Sequence, residues 1–370
     1  MKKSVFRNRL TRLRKRLAET SIDTAWILQP ENRRYLSGFQ AEDGQLNESS
    51  GSLLISQRAA ILITDSRYTT EAQKEARDFQ VITLKKEFEE SLPPLLRRLA
   101  TKTLGFEEES LSWGLHRRID RSIKRTSRPV KLMPLKGEVD KMRVVKESSE
   151  IDAMEASAHL MSKILEEVIT GLKPGQKERD IAWKIEGMAR EAGAEGVAFP
   201  PIVASGPHSA LPHAVPTDRK LRSREPIILD VGLKLEGYCC DMTRTIFLGA
   251  PVRTFNRIYR TVRQAQLAAL EKILPGIEST YPDSIARGLI KESGFGEYFG
   301  HSLGHGVGLA THENPRLGPR KPETLREGMV VTVEPGIYIP GQGGVRLEEM
   351  VVIERDGPRI LTKEPHFYEF

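Results

Sequence analysis

The chain repeats one pattern, and no other feature restricts its fold as strongly. Ile151, Met154, Ala158, Met161, Leu165 and Val168 recur at helical spacing and stop at Lys173-Pro174-Gly175. A shorter helix with Ile181, Ile185 and Met188 on one face follows and ends at Gly193. Then Phe255, Ile258, Val262, Ala265 and Ala269 mark a second long helix, stopped by Leu274-Pro275-Gly276, and a second short helix runs from Pro282 to Gly294. Each helix pair is followed by strand patterns that turn back through Gly: "PIILDVGLKLEGYCCDMTRTIFL" and "MVVTVEPGIYIPGQGGVRLEEMVVI". Two equivalent halves related by a pseudo-two-fold axis are the expectation.

The repeat extends to its acids. Asp230 lies 55 residues after Gly175, and Glu334 lies 58 after Gly276. Each opens a carboxylate pair, Asp230 with Asp241 and Glu334 with Glu348, 11 and 14 residues apart. Taken singly, each acid has an ordinary reading: Asp241 caps a turn, Glu348 faces water, and Glu334 precedes the turn Pro335-Gly336. Taken together, two hairpins about a pseudo-two-fold would bring four carboxylates to one centre, where they repel unless cations neutralise them. The segment "FGHSLGHGVGLATHENP" adds His301, His305 and His312 in a Gly-rich run, where backbone can approach a ligand closely. A lone His is more often structural, but a cluster favours a site. One imidazole can ligate metal while others contact substrate. "ASGPHSALPHAVP" places His208 and His213 on a loop, His213 being the stronger candidate for a substrate contact. Oxygen ligands with one imidazole suit divalent metals such as Mn²⁺, with Co²⁺, Zn²⁺ or Fe²⁺ also possible occupants. No G-x-S-x-G elbow, Walker loop or H-E-x-x-H occurs, and "GHGVG" lacks the strand–turn–helix setting of a dinucleotide site.

The 370 residues suit two domains. Residues 1–137 read as an α/β unit, and residues 138–370 as a second domain. The expected elements of the first are a helix to Glu19, strands "DTAWILQ", "GSLLIS", "AAILIT", "FQVITL", "KTLGFEE" and "RPVKLMPL", and a short helix or turn at "ENRRYLSGF". A helix from Ser66 to Arg77 is expected, and another from Glu87 with Leu95, Leu96 and Leu99 inward and Pro93-Pro94 confined to its first turn. "QAEDGQLNESSG" reads as a surface loop, Asp65 and Arg67 as a turn acid and surface base, and Ser148-Ser149 as the cap of the first long helix. Eight Lys and Arg fall in the first sixteen residues of a chain with net charge +7. No nucleic-acid motif accompanies them, and Val5, Phe6, Leu10, Leu13 and Leu17 between them predict an amphipathic helix with a solvated basic face. No apolar run approaches the roughly 18 residues of a membrane span. Two adjacent cysteines, Cys239 and Cys240, predict free thiols and a cytoplasmic, reducing setting.

With those residues in view, the sequence resembles the pita-bread metallopeptidases, the family of Xaa-Pro aminopeptidase, prolidase and methionine aminopeptidase. "LDVG", "DMTRT", "GHGVGLATHENP", "TVEPGIY" and "GVRLEEMVVI" stand in the family's order. The resemblance implies an α+β fold: a C-terminal pita-bread domain with its pseudo-two-fold repeat, preceded by a smaller α/β domain of the creatinase type. It implies two divalent metals, Mn²⁺ or Co²⁺, held by Asp230, Asp241, His305, Glu334 and Glu348, with Asp241 and Glu348 bridging. His213 and His312 match the family's substrate-contacting histidines; Arg346 matches a supporting arginine, and His301 fits an upstream His less closely. Glu349 stands where the family often has Asp, and the aromatic end "EPHFYEF" has no assigned role. The implied activity is hydrolysis of an N-terminal Xaa-Pro bond of small peptides by a hydroxide shared between the metals, with Glu334 shuttling a proton and a homodimer as the usual assembly. The expectation leans to an Xaa-Pro aminopeptidase. The alternatives are an Xaa-Pro dipeptidase (prolidase), a non-catalytic peptide-binding member of the fold, and a creatinase-like enzyme with no use for the ligands.

Overall fold

The computed structural model describes residues 5–43, 48–126, 128–363 and 368. Part of the expected loop "QAEDGQLNESSG" and most of the aromatic C-terminus lie outside the described residues, as do the first four. The chain divides into two compact units, Met1–Arg143 and Val144–Phe370. Its elements mix helix and sheet throughout, an α+β architecture.

The first unit contains, in order, α1 (Val5–Ala18), β1 (Thr24–Ile27), α2 (Pro30–Ser37), β2 (Ser52–Ser56), β3 (Ala60–Thr64), α3 (Thr69–Glu75), β4 (Gln80–Thr83), α4 (Phe88–Arg98), β5 (Thr103–Phe106), α5 (Trp113–Lys124), β6 (Lys131–Pro134) and α6 (Glu138–Arg143). One six-stranded sheet has the order β4-β3-β2-β1-β5-β6. Pairs β1–β2 and β2–β3 are antiparallel and the rest parallel. Helix α6 falls in this unit, with Val139 and Met142 buried.

Helix α1 buries Leu10, Leu13 and Leu17, and also Arg9, whose guanidinium lies 4.0 Å from the Tyr35 ring centroid and donates to Tyr35 O. The expected solvated basic face is thus partly tied down: Arg14 Nε donates to Ser56 O at 2.9 Å and Arg16 pairs with Glu138. Two expectations fail here. Pro93 and Pro94 sit in the interior of α4, not its first turn. Pro93 cannot donate to Glu89 O, and the Ser122 hydroxyl of α5 donates there instead. Helix α5 was not anticipated. It carries only Ile119 and Ile123 as fully buried residues, too few to make a clear periodic signal.

The second unit opens with α7 (Ser148–Thr170), α8 (Glu178–Glu191), β7 (Gly196–Val197), β8 (Ile202–Ser205), a 3₁₀ turn (Gly206–Ala210), β9 (Pro226–Val231), β10 (Leu233–Leu235), β11 (Tyr238–Cys239) and β12 (Met242–Phe247). The second half follows: α9 (Arg253–Leu270), α10 (Thr280–Glu292), β13 (Gly304–Gly306), β14 (Glu313–Leu317), β15 (Val330–Val333), β16 (Gly336–Ile339), β17 (Gly343–Arg346), β18 (Glu349–Glu354) and β19 (Gly357–Ile360). The antiparallel sets β8-β9-β12 and β13-β15-β18 correspond, each joined through a short hairpin, β10/β11 or β16/β17. The repeat reaches single hydrogen bonds. Gly175 N–H donates to Leu221 O at 2.9 Å and Gly276 N–H to Leu325 O at 2.8 Å. Both glycines hold positive φ, 94° and 93°, which an L side chain resists and which follows from the Pro-Gly stops.

Helix α7 is capped otherwise than expected. Glu147 N–H donates to the Glu150 carboxylate at 2.9 Å, so Ser148 and Ser149 already lie inside the helix. The apolar faces of α7 and α8 form one core with β9 and β12, and those of α9 and α10 form another with β15 and β18.

Candidate metal centre

The site residues stand where regular strands end. Asp230 is the penultimate residue of β9, paired across the sheet with Thr243. Asp241 immediately precedes β12, Glu334 follows β15, and Glu348 precedes β18. The two sheets meet here: Glu348 N–H donates to Thr243 O at 3.1 Å, and the Thr245 hydroxyl donates to Arg346 O at 2.8 Å. Acids from both halves are therefore delivered to one place by the strand ends of a duplicated sheet.

Ligand atoms of Asp241, His305 and Glu348 lie within 4.8 Å of one another. His305 Nε2 is 3.3 Å from Glu334 Oε1 and 3.7 Å from Asp241 Oδ2. Its Nδ1–H donates to Gly306 O at 3.0 Å, which leaves Nε2 as the nitrogen turned toward the carboxylates. His305 reaches this point because β13 is squeezed between β14 and β15. A Cβ at Gly304 would lie 2.0 Å from Thr332 O, and one at Gly306 2.3 Å from Asn314 O. These glycines bring backbone against backbone, where the sequence suggested backbone against ligand.

Asp230, Asp241 and Glu348 are all buried. Burial pushes the Asp241 and Glu348 carboxyls well above the carboxylate range, and their neighbours' negative charge adds to it. Asp230 is also raised by burial, against the pull of Arg346. Glu334 goes the other way: the hydrogen bond and charge of His305 outweigh burial and hold it down to about 2, while His305 itself is raised by Glu334 against its burial. Asp230 Oδ1 is buried with no hydrogen-bond partner among the described residues. An orphaned carboxylate oxygen, two neighbouring carboxyls pushed toward neutrality, and an imidazole nitrogen turned toward acids all fit a bound divalent cation.

Arg346 organises the rim. Its Nη2 donates to Asp230 Oδ2 at 2.5 Å, its Nη1 to Tyr338 Oη at 2.8 Å and Pro212 O at 3.2 Å, and its Nε to Thr243 Oγ1 at 3.1 Å. The Thr243 hydroxyl in turn donates to Glu348 Oε2 at 2.7 Å. One guanidinium thus holds one acid directly and another through a threonine. His301 does not face the ligands. Its Nδ1–H donates to Ser302 O at 2.8 Å, so Nε2 accepts from the Tyr338 hydroxyl at 3.0 Å, and burial lowers its proton affinity. His312 is exposed, its ring 4.4 Å from that of His305. His213 is exposed on the loop after the 3₁₀ turn, near enough that charge on it disfavours charge on His312. His208 is committed elsewhere, bonded to Glu178 at 2.9 Å.

The sequence reading missed Thr243, Tyr338 and Arg316. Arg316 is exposed on β14, directly opposite His305 in the antiparallel register, and its Nε donates to Ser302 Oγ at 2.8 Å. Only the pairing of β13 with β14 reveals it. Cys239 and Cys240 are free and buried, with burial raising the thiols to about 12 and about 11, so both stay protonated and inert. Among the described residues no helix is long and apolar enough to cross a membrane.

Comparison with known proteins identifies the family. Residues 152–355 match the metallopeptidase family M24, and residues 9–145 the creatinase/prolidase N-terminal domain. The chain is 37% identical over 358 residues to an Xaa-Pro dipeptidase of Pyrococcus furiosus, spanning 96% of this chain and 98% of that one. Among solved structures it is similar to an Xaa-Pro dipeptidase from Bacillus anthracis, with TM-score 0.91, 35% identity and coverage of 97% and 98% of the two chains. It is also similar to an X-Pro aminopeptidase from Thermotoga maritima, with TM-score 0.85, 38% identity and coverage of 96% and 98%. With a catalytic-type domain built around clustered acids and a creatinase-type domain before it, the chain belongs to metallopeptidase family M24.

Proposed function

We propose that this hydrolase is a metal-dependent Xaa-Pro dipeptidase, acting on small proline-containing peptides. The observation that carries the reading is the convergence of Asp230, Asp241, His305, Glu334 and Glu348 on one buried centre with an orphaned carboxylate oxygen. The sequence alone leaned to an aminopeptidase. Relatives described as Xaa-Pro dipeptidases or prolidases, at 35–38% identity over nearly the whole chain, favour the dipeptidase, and that reading replaces it.

The five ligands would hold two divalent ions: the oxygen-rich donor set suits Mn²⁺, and the family resemblance favours Mn²⁺ or Co²⁺. When bound, such ions supply Lewis-acid polarisation of the scissile carbonyl and a water acidic enough to ionise near neutral pH. The remaining work falls to the chain's own side chains. Glu334 receives the proton of the attacking water on the carboxylate that also accepts from Thr332, and passes it to the departing prolyl nitrogen. His312, its ring 4.4 Å from that of His305, and the exposed His213 orient the substrate carbonyl and donate to its oxygen as charge develops there. Arg346 keeps Asp230 in register, and through Thr243 also Glu348. Arg316, across from His305, supplies the cation that a dipeptidase needs for the free proline carboxylate.

The test is paired hydrolysis on metal-restored protein, an Xaa-Pro dipeptide beside an Xaa-Pro-Yaa tripeptide. The dipeptide is the expected substrate. Equal or faster cleavage of the tripeptide after Xaa would return the assignment to an aminopeptidase. Arg316→Ala should raise KM for the dipeptide by about 10- to 100-fold, the worth of one charge-assisted hydrogen bond, with little change in kcat. An unchanged KM would remove Arg316 from the binding site.

A further inference from the structure

One buried carboxylate of the second unit that the proposed chemistry does not use, Glu178, accepts five hydrogen bonds. Glu178 is the first residue of α8 and wholly buried. Its Oε1 accepts from the Ser205 N–H and hydroxyl, both at 2.8 Å. Its Oε2 accepts from the Thr217 N–H at 3.1 Å, the Thr217 hydroxyl at 2.7 Å and His208 Nδ1 at 2.9 Å. Ser205 ends β8, His208 lies in the 3₁₀ turn, and Thr217 lies beyond His213. One carboxylate therefore clamps both stems of the segment 206–217. The other side of that segment is tied to the second half of the repeat. Ser209 Oγ accepts from Gly344 N–H at 2.8 Å, and Pro212 O accepts from Arg346 Nη1 at 3.2 Å. His213 stands next to Pro212, between the clamp and the arginine that holds Asp230.

The second half solves the same problem differently. Glu178 N–H donates to Arg219 O at 3.1 Å, and the residue in the equivalent bond is Ser279, whose N–H donates to Glu323 O at 2.8 Å. Serine is too short to clamp a loop. The acid appears one turn later as Asp283, buried, whose Oδ1 accepts from Leu303 N–H at 3.0 Å and pairs with Arg287 at 2.8 Å. Arg287 in turn donates to Phe299 O and His301 O, each at 2.8 Å. Each half thus uses a buried acid near the start of its second helix to hold the segment that delivers an imidazole to the site.

We infer that Glu178 is a positioning residue for substrate engagement, setting the place of His213 by clamping segment 206–217 at Ser205, His208 and Thr217. The inference rests on the reading that His213 contacts the peptide. Glu178→Gln tests it. Each carboxylate oxygen takes one backbone N–H, so an amide must turn its NH₂ against either Ser205 N–H or Thr217 N–H and release one stem. Metal content, amide hydrogen exchange, and kcat and KM for an Xaa-Pro dipeptide would be measured on the metal-restored enzyme. The same kinetics would be repeated in a His213→Ala background.

The expected result is unchanged metal stoichiometry, exchange in residues 206–217 faster by about tenfold, and kcat/KM lower by about tenfold, with no further loss in the His213→Ala background. An equal loss in both backgrounds would overturn the inference, since Glu178 would then act on the fold at large. Unchanged exchange would overturn it as well. Thr217→Val, which keeps the backbone N–H and removes only the hydroxyl, should give the same pattern at smaller amplitude and carries the test if the glutamine variant does not fold. Failure of the dipeptidase reading would show separately, as wild-type protein without Xaa-Pro hydrolysis, while the exchange result would still decide whether Glu178 clamps the segment.

Discussion

Asp241→Ala will abolish metal uptake and lower hydrolysis by more than about 10³-fold, without unfolding the metal-free protein. Asp241 is buried, lies within ligand distance of both His305 and Glu348, and has its carboxyl pushed up by burial and by three neighbouring acids. Removing it relieves repulsion in the empty site, so the stripped variant should melt no lower than stripped wild type apart from a small cavity cost. What disappears is stabilisation by ligand. A cation held at a hundred times its Kd contributes about 2.7 kcal/mol, worth roughly 5–10 °C in a domain of this size. Calorimetry of stripped and metal-restored samples therefore separates a lost ligand from a broken fold. Asp241→Asn, nearly equal in volume, should behave alike. Full activity with normal metal content in either variant would sink the assignment of this cluster.

Metal-free protein will lose stability as pH rises from about 5 to 8, and metal will cancel that loss. The sign follows from the direction of each shift. Asp230, Asp241 and Glu348 are raised in the folded state, so above the ordinary carboxylate range the unfolded chain gives up its protons while the folded site still binds them. Folded stability then falls with increasing pH. His305 is raised too, and its contribution, complete below the unfolded imidazole value, is lost as pH climbs through the folded one. Glu334, held down to about 2, is ionised in both states across this window and adds no slope. Cation binding must displace the protons on the raised carboxyls, so uptake should release more than about one proton and tighten with pH. Titration calorimetry in buffers of different ionisation enthalpy measures the release directly. A flat stability profile, with no proton release, would mean that these carboxylates are already ionised and paired in the empty site.

The features legible in the sequence were those with a local physical cause. The spacing of Met154, Ala158, Met161 and Leu165, like that of Ile258, Val262, Ala265 and Ala269, marks α7 and α9 because helical burial repeats every few residues. Gly175 and Gly276 mark the stops because only glycine takes their positive φ without strain. The duplicated acid spacing pointed to Asp230, Asp241, Glu334 and Glu348, since carboxylates in strands of Ile, Leu and Val demand a partner.

Local cues failed where a distant group intervened. Ser122 supplies Glu89 O with the donor that Pro93 lacks, which lets prolines stand inside α4. Ordinary-looking residues acquired roles in the same way. Thr243 relays Arg346 to Glu348, Tyr338 joins Arg346 to His301, Arg316 faces His305 across a strand pair, and Glu178 closes both stems of the His213 segment. The sequence by itself determined the repeat, its helices and which acids stand in apolar strands, because periodicity, glycine torsion and the cost of buried charge act residue by residue. Only the tertiary structure decided which arginine, tyrosine, threonine and glutamate hold those acids and histidines in place, because a hydrogen bond between groups a hundred residues apart exists only once the sheets have met.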